Sequence, residues 1–158
     1  MAPAQTETLR SLYEAFAARD GEGMAACYAP DATFEDPVFT LSGTDVGDMW
    51  RMLTGRSADL RVEYRIVGED GAEWTALYTF NGHPVRNEIR SSFTFAPDGR
   101  IATQRDRFDF ARWAGQALGL PGKVLGRFGF FQRSVRKRTA GILSAWQRDR
   151  SPEQPPPA

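Results

Sequence analysis

Two aspartates carry the chemistry that this sequence suggests. Asp36 closes the run Asp31-Ala32-Thr33-Phe34-Glu35-Asp36-Pro37, and Asp106 lies in Gln104-Arg105-Asp106-Arg107-Phe108-Asp109. A carboxylate held among apolar side chains has its charged form disfavoured, so its pKa climbs toward the range useful for proton transfer near neutral pH. Two such groups facing one space can divide the work, one as base and the other as acid, through environment alone. Each also has a structural reading. Asp36 can accept backbone hydrogen bonds ahead of the Pro37 turn, and Asp106 can pair with a neighbouring arginine. Around them Phe16, Tyr28, Trp50, Phe93 and Phe108 are candidate apolar walls. Tyr13 can donate from its hydroxyl if that group reaches the cavity rather than the surface, and Asn87, Ser91 and Gln104 can fix the polar group of a ligand.

The elements that must position these groups follow from periodicity. Leu9, Leu12, Tyr13 and Phe16 recur at helical spacing up to Asp20-Gly21, and a short second helix spans Met24 to Tyr28. A short strand ends at Asp36-Pro37. A third helix starts near Thr44 as N-cap and buries Val46, Met49, Trp50 and Leu53. Period-two runs follow: Val62, Tyr64 and Ile66, then Trp74, Ala76, Tyr78 and Phe80, then Val85 through Phe95. Asn81-Gly82 and Pro97-Asp98-Gly99 turn the chain between them. Helices followed by a meander predict an α+β fold in which a curved antiparallel sheet wraps N-terminal helices as a cone-shaped barrel. The concave face is predicted to carry Asn87, Ile89, Ser91 and Phe93 with Ala102, Gln104, Asp106 and Phe108. Arg86, Glu88 and Arg90 fall on the other face.

In that order the elements of residues 6–110 resemble the nuclear transport factor 2-like superfamily, which includes SnoaL-like cyclases, ketosteroid isomerases and limonene epoxide hydrolases. Glu35-Asp36-Pro37-Val38 is similar to the ketosteroid isomerase site whose aspartate is a general base, which implies that role for Asp36. Leu12, not Tyr13, stands where those isomerases keep their oxyanion tyrosine, and Ser91 stands at their second acid. The run around Asp106 is similar to the last strand of limonene epoxide hydrolases, whose aspartate helps activate water. Their Arg-x-Asp partner becomes Ile89-Arg90-Ser91 here. The resemblance implies a small, mostly apolar ligand with one polar group, a homodimer through the convex sheet face, and a cofactor-free isomerase, lyase or hydrolase. A non-catalytic binding or scaffolding module is the alternative.

Composition sets the remaining bounds. The 158 residues suffice for one domain with a cavity-bearing core. The single cysteine, Cys27, permits no internal disulfide, and no metal-spaced His/Cys cluster occurs, so neither a metal nor another cofactor is expected. Without a leader-like or long apolar run, a soluble cytoplasmic protein is expected. Charge is uneven: residues 1–110 hold 11 Lys+Arg against 18 Asp+Glu, net −7, and residues 111–158 hold 9 against 2, net +7. The barrel is therefore assigned to residues 1–110, a basic amphipathic helical extension packed on the barrel or a partner to 111–150, and a disordered Pro-rich tail to 151–158. The extension carries Val135, Thr139, Ile142 and Trp146 on one face. Because the opposite charge lies on the same chain, docking within the protein is favoured over nucleic acid, with contact at a membrane surface as the lesser reading.

Overall fold

The computed structural model describes residues 3–150. The chain runs α1 (Pro3–Ala17), α2 (Gly21–Ala25), β1 (Tyr28–Glu35), β2 (Thr40–Ser42), α3 (Thr44–Arg56), β3 (Arg61–Val67), β4 (Gly71–Phe80), β5 (His83–Phe95), β6 (Ile101–Arg107), α4 (Phe110–Ala117), α5 (Gly119–Leu125) and α6 (Gly129–Arg150). This is the expected α+β plan. One six-stranded sheet has the order β2-β1-β6-β5-β4-β3. β1 runs parallel to β6, and every other pair is antiparallel. The parallel pair brings the first strand back beside the last, so Asp36, one residue past the end of β1, comes beside the strand that carries Asp106. The sheet curls without closing, with β2 and β3 at its edges.

A 15-residue helix such as α1 is marginal by itself in water. Its buried stripe of Leu9, Leu12, Tyr13 and Phe16 holds it on the sheet, at about 1.5–3 kcal/mol for each large side chain buried. Asp20 then caps α2 by accepting from Gly23 N at 2.9 Å. At the β4–β5 hairpin Asn81 and Gly82 take φ of 47° and 81°, the left-handed pair that matches strand twist.

Three local expectations are corrected. Tyr28 is the first residue of β1, not the end of α2, because its backbone is taken up in pairing with Ile101. Thr44 is already helical, and Gly43 precedes it without a side-chain cap. Ala102 sits where the β5–β6 register shifts; Thr94 pairs with Thr103 and Phe95 with Ile101, so Ile101 is buried in its place and Ala102 is half-buried. α4 ends at Ala117, and α5 follows at once, opening on Gly119-Leu120-Pro121-Gly122. Pro121 tolerates that position because a first-turn N–H needs no helical partner. The Pro-rich stretch 151–158 lies outside the described residues.

α6 crosses the barrel. Val135 and Leu143 are buried, and Ile142 and Trp146 pack against the core. Gln147 Nε2 donates to Asp45 Oδ1 at 2.8 Å and Asp48 Oδ2 at 2.9 Å on α3.

Candidate functional site

The helices cover only part of the concave sheet face and leave a cavity of about 490 Å³. Its walls are mostly apolar: Phe16, Val38, Phe39, Met49, Trp50, Trp74, Ile89 and Phe108 contribute, with Asn87, Asn81 and Arg56 among the polar lining residues. Trp50 and Trp74 are braced edge-on by Phe16, with ring centroids 5.0 and 5.2 Å away. Both Asp36 and Asp106 line this same space.

Asp106 belongs to a continuous buried chain of hydrogen bonds. Its Oδ1 accepts from Ser91 Oγ at 2.5 Å and from Gln104 Nε2 at 2.9 Å. Ser91 is its cross-strand partner on β5, and Gln104 lies two residues back on β6, so the pleat alone brings all three to one side. Behind Ser91, Trp74 Nε1 donates to its Oγ at 2.8 Å. Behind Gln104, Tyr28 OH donates to Oε1 at 2.5 Å and itself accepts from Trp50 Nε1 at 2.8 Å. The two indoles thus orient both donors, and Tyr28 fixes the Gln104 amide with its NH₂ toward Asp106. No described residue donates to Oδ2. Burial pushes the Asp106 carboxyl up to about 7 against the pull of Ser91 and Gln104, and the nearby Asp36 charge adds to the rise.

Asp36 is held differently. Its Oδ1 accepts from Val38 N at 2.7 Å and Phe39 N at 2.6 Å, an Asx-type turn imposed by Pro37. Its Oδ2 again has no donor among the described residues. Burial lifts this carboxyl to about 6, opposed by those two amides and by Arg136. The turn is clamped from outside by α6: Gln132 Nε2 donates to Pro37 O at 3.0 Å, Arg136 Nη1 to Asp36 O at 2.8 Å, and Thr139 Oγ1 to Val38 O at 2.6 Å. Arg136 also reaches Thr40 Oγ1.

Of the residues singled out in the sequence, Asp36, Asp106, Phe16, Trp50, Asn87 and Phe108 line the cavity. Tyr28, Ser91 and Gln104 form the polar layer under its floor. Phe93 lies beneath that layer, opposite Gln104, with its ring 6.3 Å from Phe95, so it is core and not wall. Tyr13 does not reach the cavity. Its hydroxyl is the one buried side-chain polar atom without a hydrogen-bond partner among the described residues, and its ring stacks on Tyr64 at 5.1 Å. Burial and the Asp106 charge push its pKa well up. Among the described residues Asp106 pairs with no arginine; Arg105 reaches Glu35 at 3.2 Å instead.

Sequence reasoning missed Tyr78, Trp113, Thr139 and Ile142, which also line the cavity. Tyr78 OH accepts from Trp113 Nε1 at 2.8 Å; burial raises its pKa against that hydrogen bond, and the Asp36 charge adds to the rise. The alternation of β4 carried the signal for Tyr78. For Trp113, Thr139 and Ile142 no local signal exists, because helices docked across the fold bring them there. Among the described residues no group of three or more His, Cys, Asp or Glu could hold a metal ion. Burial pushes the Cys27 thiol up to about 11, which leaves it unreactive.

A curled sheet wrapped on three helices around an apolar cavity is the nuclear transport factor 2-like architecture. Within it, the chain belongs to the family of SnoaL-like domains, which matches residues 9–104. An NTF2-like protein of unknown function from Burkholderia pseudomallei is 26% identical, covering 72% of this chain and 97% of its own, with a TM-score of 0.59. A protein with a cystatin-like fold from Silicibacter pomeroyi is 16% identical at a TM-score of 0.60. It covers 94% of this chain and 92% of its own, and so takes in the helical extension. SalBIII, described as an epoxide hydrolase/cyclase-like enzyme in pyran ring formation in polyether salinomycin, is 17% identical, covering 68% and 92%, with a TM-score of 0.57. No protein of curated function matches the chain in sequence.

Proposed function

We propose that the chain is a cofactor-free acid–base enzyme, an isomerase, lyase or hydrolase, acting on a small, mostly apolar molecule with one polar group. The observation that carries this reading is that two buried carboxyl groups border one apolar cavity, each with Oδ1 engaged and Oδ2 without a donor among the described residues, and burial raises the pKa of both. Burial raises both carboxyls toward neutral pH, and the Asx-type turn amides and Arg136 oppose the rise at Asp36, which suits Asp36 to act as general base and Asp106 as acid or orienting partner. Oδ2 of Asp36 then takes a proton from a substrate carbon, and Asp106 gives one to the oxygen on which charge develops. SalBIII, with the same fold, is described as an epoxide hydrolase/cyclase-like enzyme, which supports this reading.

A cytoplasmic homodimer is part of the proposal. The outer sheet face supports it with alternating Glu63, Arg65, Glu73, Glu88 and Arg90 around an open groove, a pattern that can complement itself. A second reading, a non-catalytic binding module, draws on the structural hydrogen bonds that engage Oδ1 of both aspartates.

The test is deuterium exchange at carbons next to the carbonyl in a panel of small apolar ketones, followed by NMR in D₂O. Wild type is expected to catalyse exchange with a rate maximum between about pH 6 and pH 7, and Asp36→Asn to abolish it with a nearly unchanged melting temperature. No exchange across the panel, with an apolar fluorescent probe still bound in the cavity, selects the binding module. A large melting-temperature drop in Asp36→Asn makes this aspartate structural.

A further inference from the structure

The helical extension turns an apolar face away from the protein. The inner side of α5 is glycine: a Cβ at Gly122 would lie 1.9 Å from Ala114 O, and one at Gly126 would lie 3.2 Å from Ala111 Cα. α4 and α5 therefore meet at backbone distance, and that approach fixes the rotation of α5 about its own axis. The side chains left outward are Leu120, 73% exposed, and Val124, 53% exposed, one turn apart. Just past the helix, Phe128 and Phe130 are 44% and 56% exposed and stack at 5.6 Å. Of six exposed large hydrophobic residues in the described chain, these four fall together, while Tyr64 and Val67 lie apart on β3. The clustering distinguishes a patch from the scattered apolar surface that every protein has.

Along the chain, the charges that flank the patch are all cationic. From residue 110 to residue 148 the sequence contains no Asp or Glu and eight Lys or Arg. Lys123 and Arg127 interleave with the apolar residues, and Arg133 and Lys137 follow Phe130 at helical spacing along one exposed stripe of α6. Among the described residues none of these four pairs with a carboxylate. Arg127 lies over the Phe128 ring at 5.8 Å. The stripe that looked interfacial in the sequence, Val135, Thr139, Ile142 and Trp146, is spent on the barrel.

We propose that this face docks on an anionic lipid surface. Leu120, Val124, Phe128 and Phe130 enter the boundary between headgroups and acyl chains, and Lys123, Arg127, Arg133 and Lys137 meet lipid phosphates and carboxylates. Charge complementarity decides the occupant. A second copy offers a sheet face of alternating sign, whereas unpaired cations around aliphatic and aromatic side chains match a continuous negative surface. No described helix is long and apolar enough to cross the membrane, so the contact is peripheral.

The experiment is flotation of the full chain with phosphatidylcholine vesicles, with and without phosphatidylserine. The chain is expected to float with the phosphatidylserine-containing vesicles at low salt and to be released by high salt. Lys123→Gln with Arg127→Gln should weaken binding by roughly fivefold per charge removed, and Leu120→Asp with Val124→Asp should abolish it. The first pair changes only exposed polar groups, so lost flotation with an unchanged circular dichroism melt is lost docking. Arg10→Glu, a charge reversal at an exposed position of α1, should float as wild type does. Absence of flotation at low salt overturns the proposal, as does flotation that neither pair of variants reduces. So does a concentration-dependent dimer in light scattering that Leu120→Asp with Val124→Asp dissolves, since the occupant is then a second copy.

Discussion

Asp106→Asn separates what this buried acid does to stability from what it does in the cavity. The carboxyl stands at about 7 in the folded chain against an ordinary 3.8. Below about pH 4 both folded and unfolded chains hold the proton. Between about pH 4 and pH 7 only the folded chain does, so stability is lost as pH rises through this window and levels off above it. About three pH units at about 1.4 kcal/mol each set a ceiling of about 4 kcal/mol, and water entering the cavity brings the expected loss to about 2–4 kcal/mol. Asp36, raised from 3.8 to about 6, acts with the same sign and levels off by about pH 7. The interval from about pH 6 to pH 8 is therefore dominated by Asp106. The Asn amide oxygen can accept from Ser91 and Gln104 as Oδ1 does. The variant should keep the network, lose the decline in that interval, and exceed wild type in stability near pH 8. Urea unfolding followed by tryptophan fluorescence at a series of pH values measures this. A wild-type stability that is flat or rising between about pH 5 and pH 8, or a variant that declines in parallel, refutes the account.

Two further substitutions probe the scaffold. Gln104→Leu leaves the Tyr28 hydroxyl without its acceptor and removes one of the two donors to Asp106, at an expected cost of about 2–4 kcal/mol. Thermal melting checks it, and a loss below about 1 kcal/mol would show that the layer is not coupled. Gly122→Ala places a methyl group 1.9 Å from a backbone carbonyl, so α5 must lift from α4 at a cost of about 1–3 kcal/mol. Limited proteolysis should then cut near Lys123, and unchanged melting and cleavage would contradict the close approach.

The sequence by itself determined the fold class and most of the inward-facing set. Alternation in β4 and β5, the left-handed pair Asn81-Gly82 and the spacing of Leu9, Leu12, Tyr13 and Phe16 are local consequences of backbone period, and a period is readable from one chain. The inward direction of Asp106, Ser91 and Gln104 follows from the same pleat. Tertiary structure decided the rest. The bulge at Ala102 moves Ile101 into the core, a result of register between two strands and not of either strand alone. The floor that separates Phe93 and Tyr13 from the cavity depends on Tyr28 and Gln104 meeting across β1 and β6, 76 residues apart in sequence. The clamp on the Asp36 turn comes from α6, about a hundred residues downstream. The α6 stripe looked the same in sequence whether it faced lipid or protein. Packing buried it on the barrel, and the glycine face of α5 left Leu120 and Val124 outside. Composition supplies apolar faces and charges, but only the three-dimensional contacts choose which of them are used up.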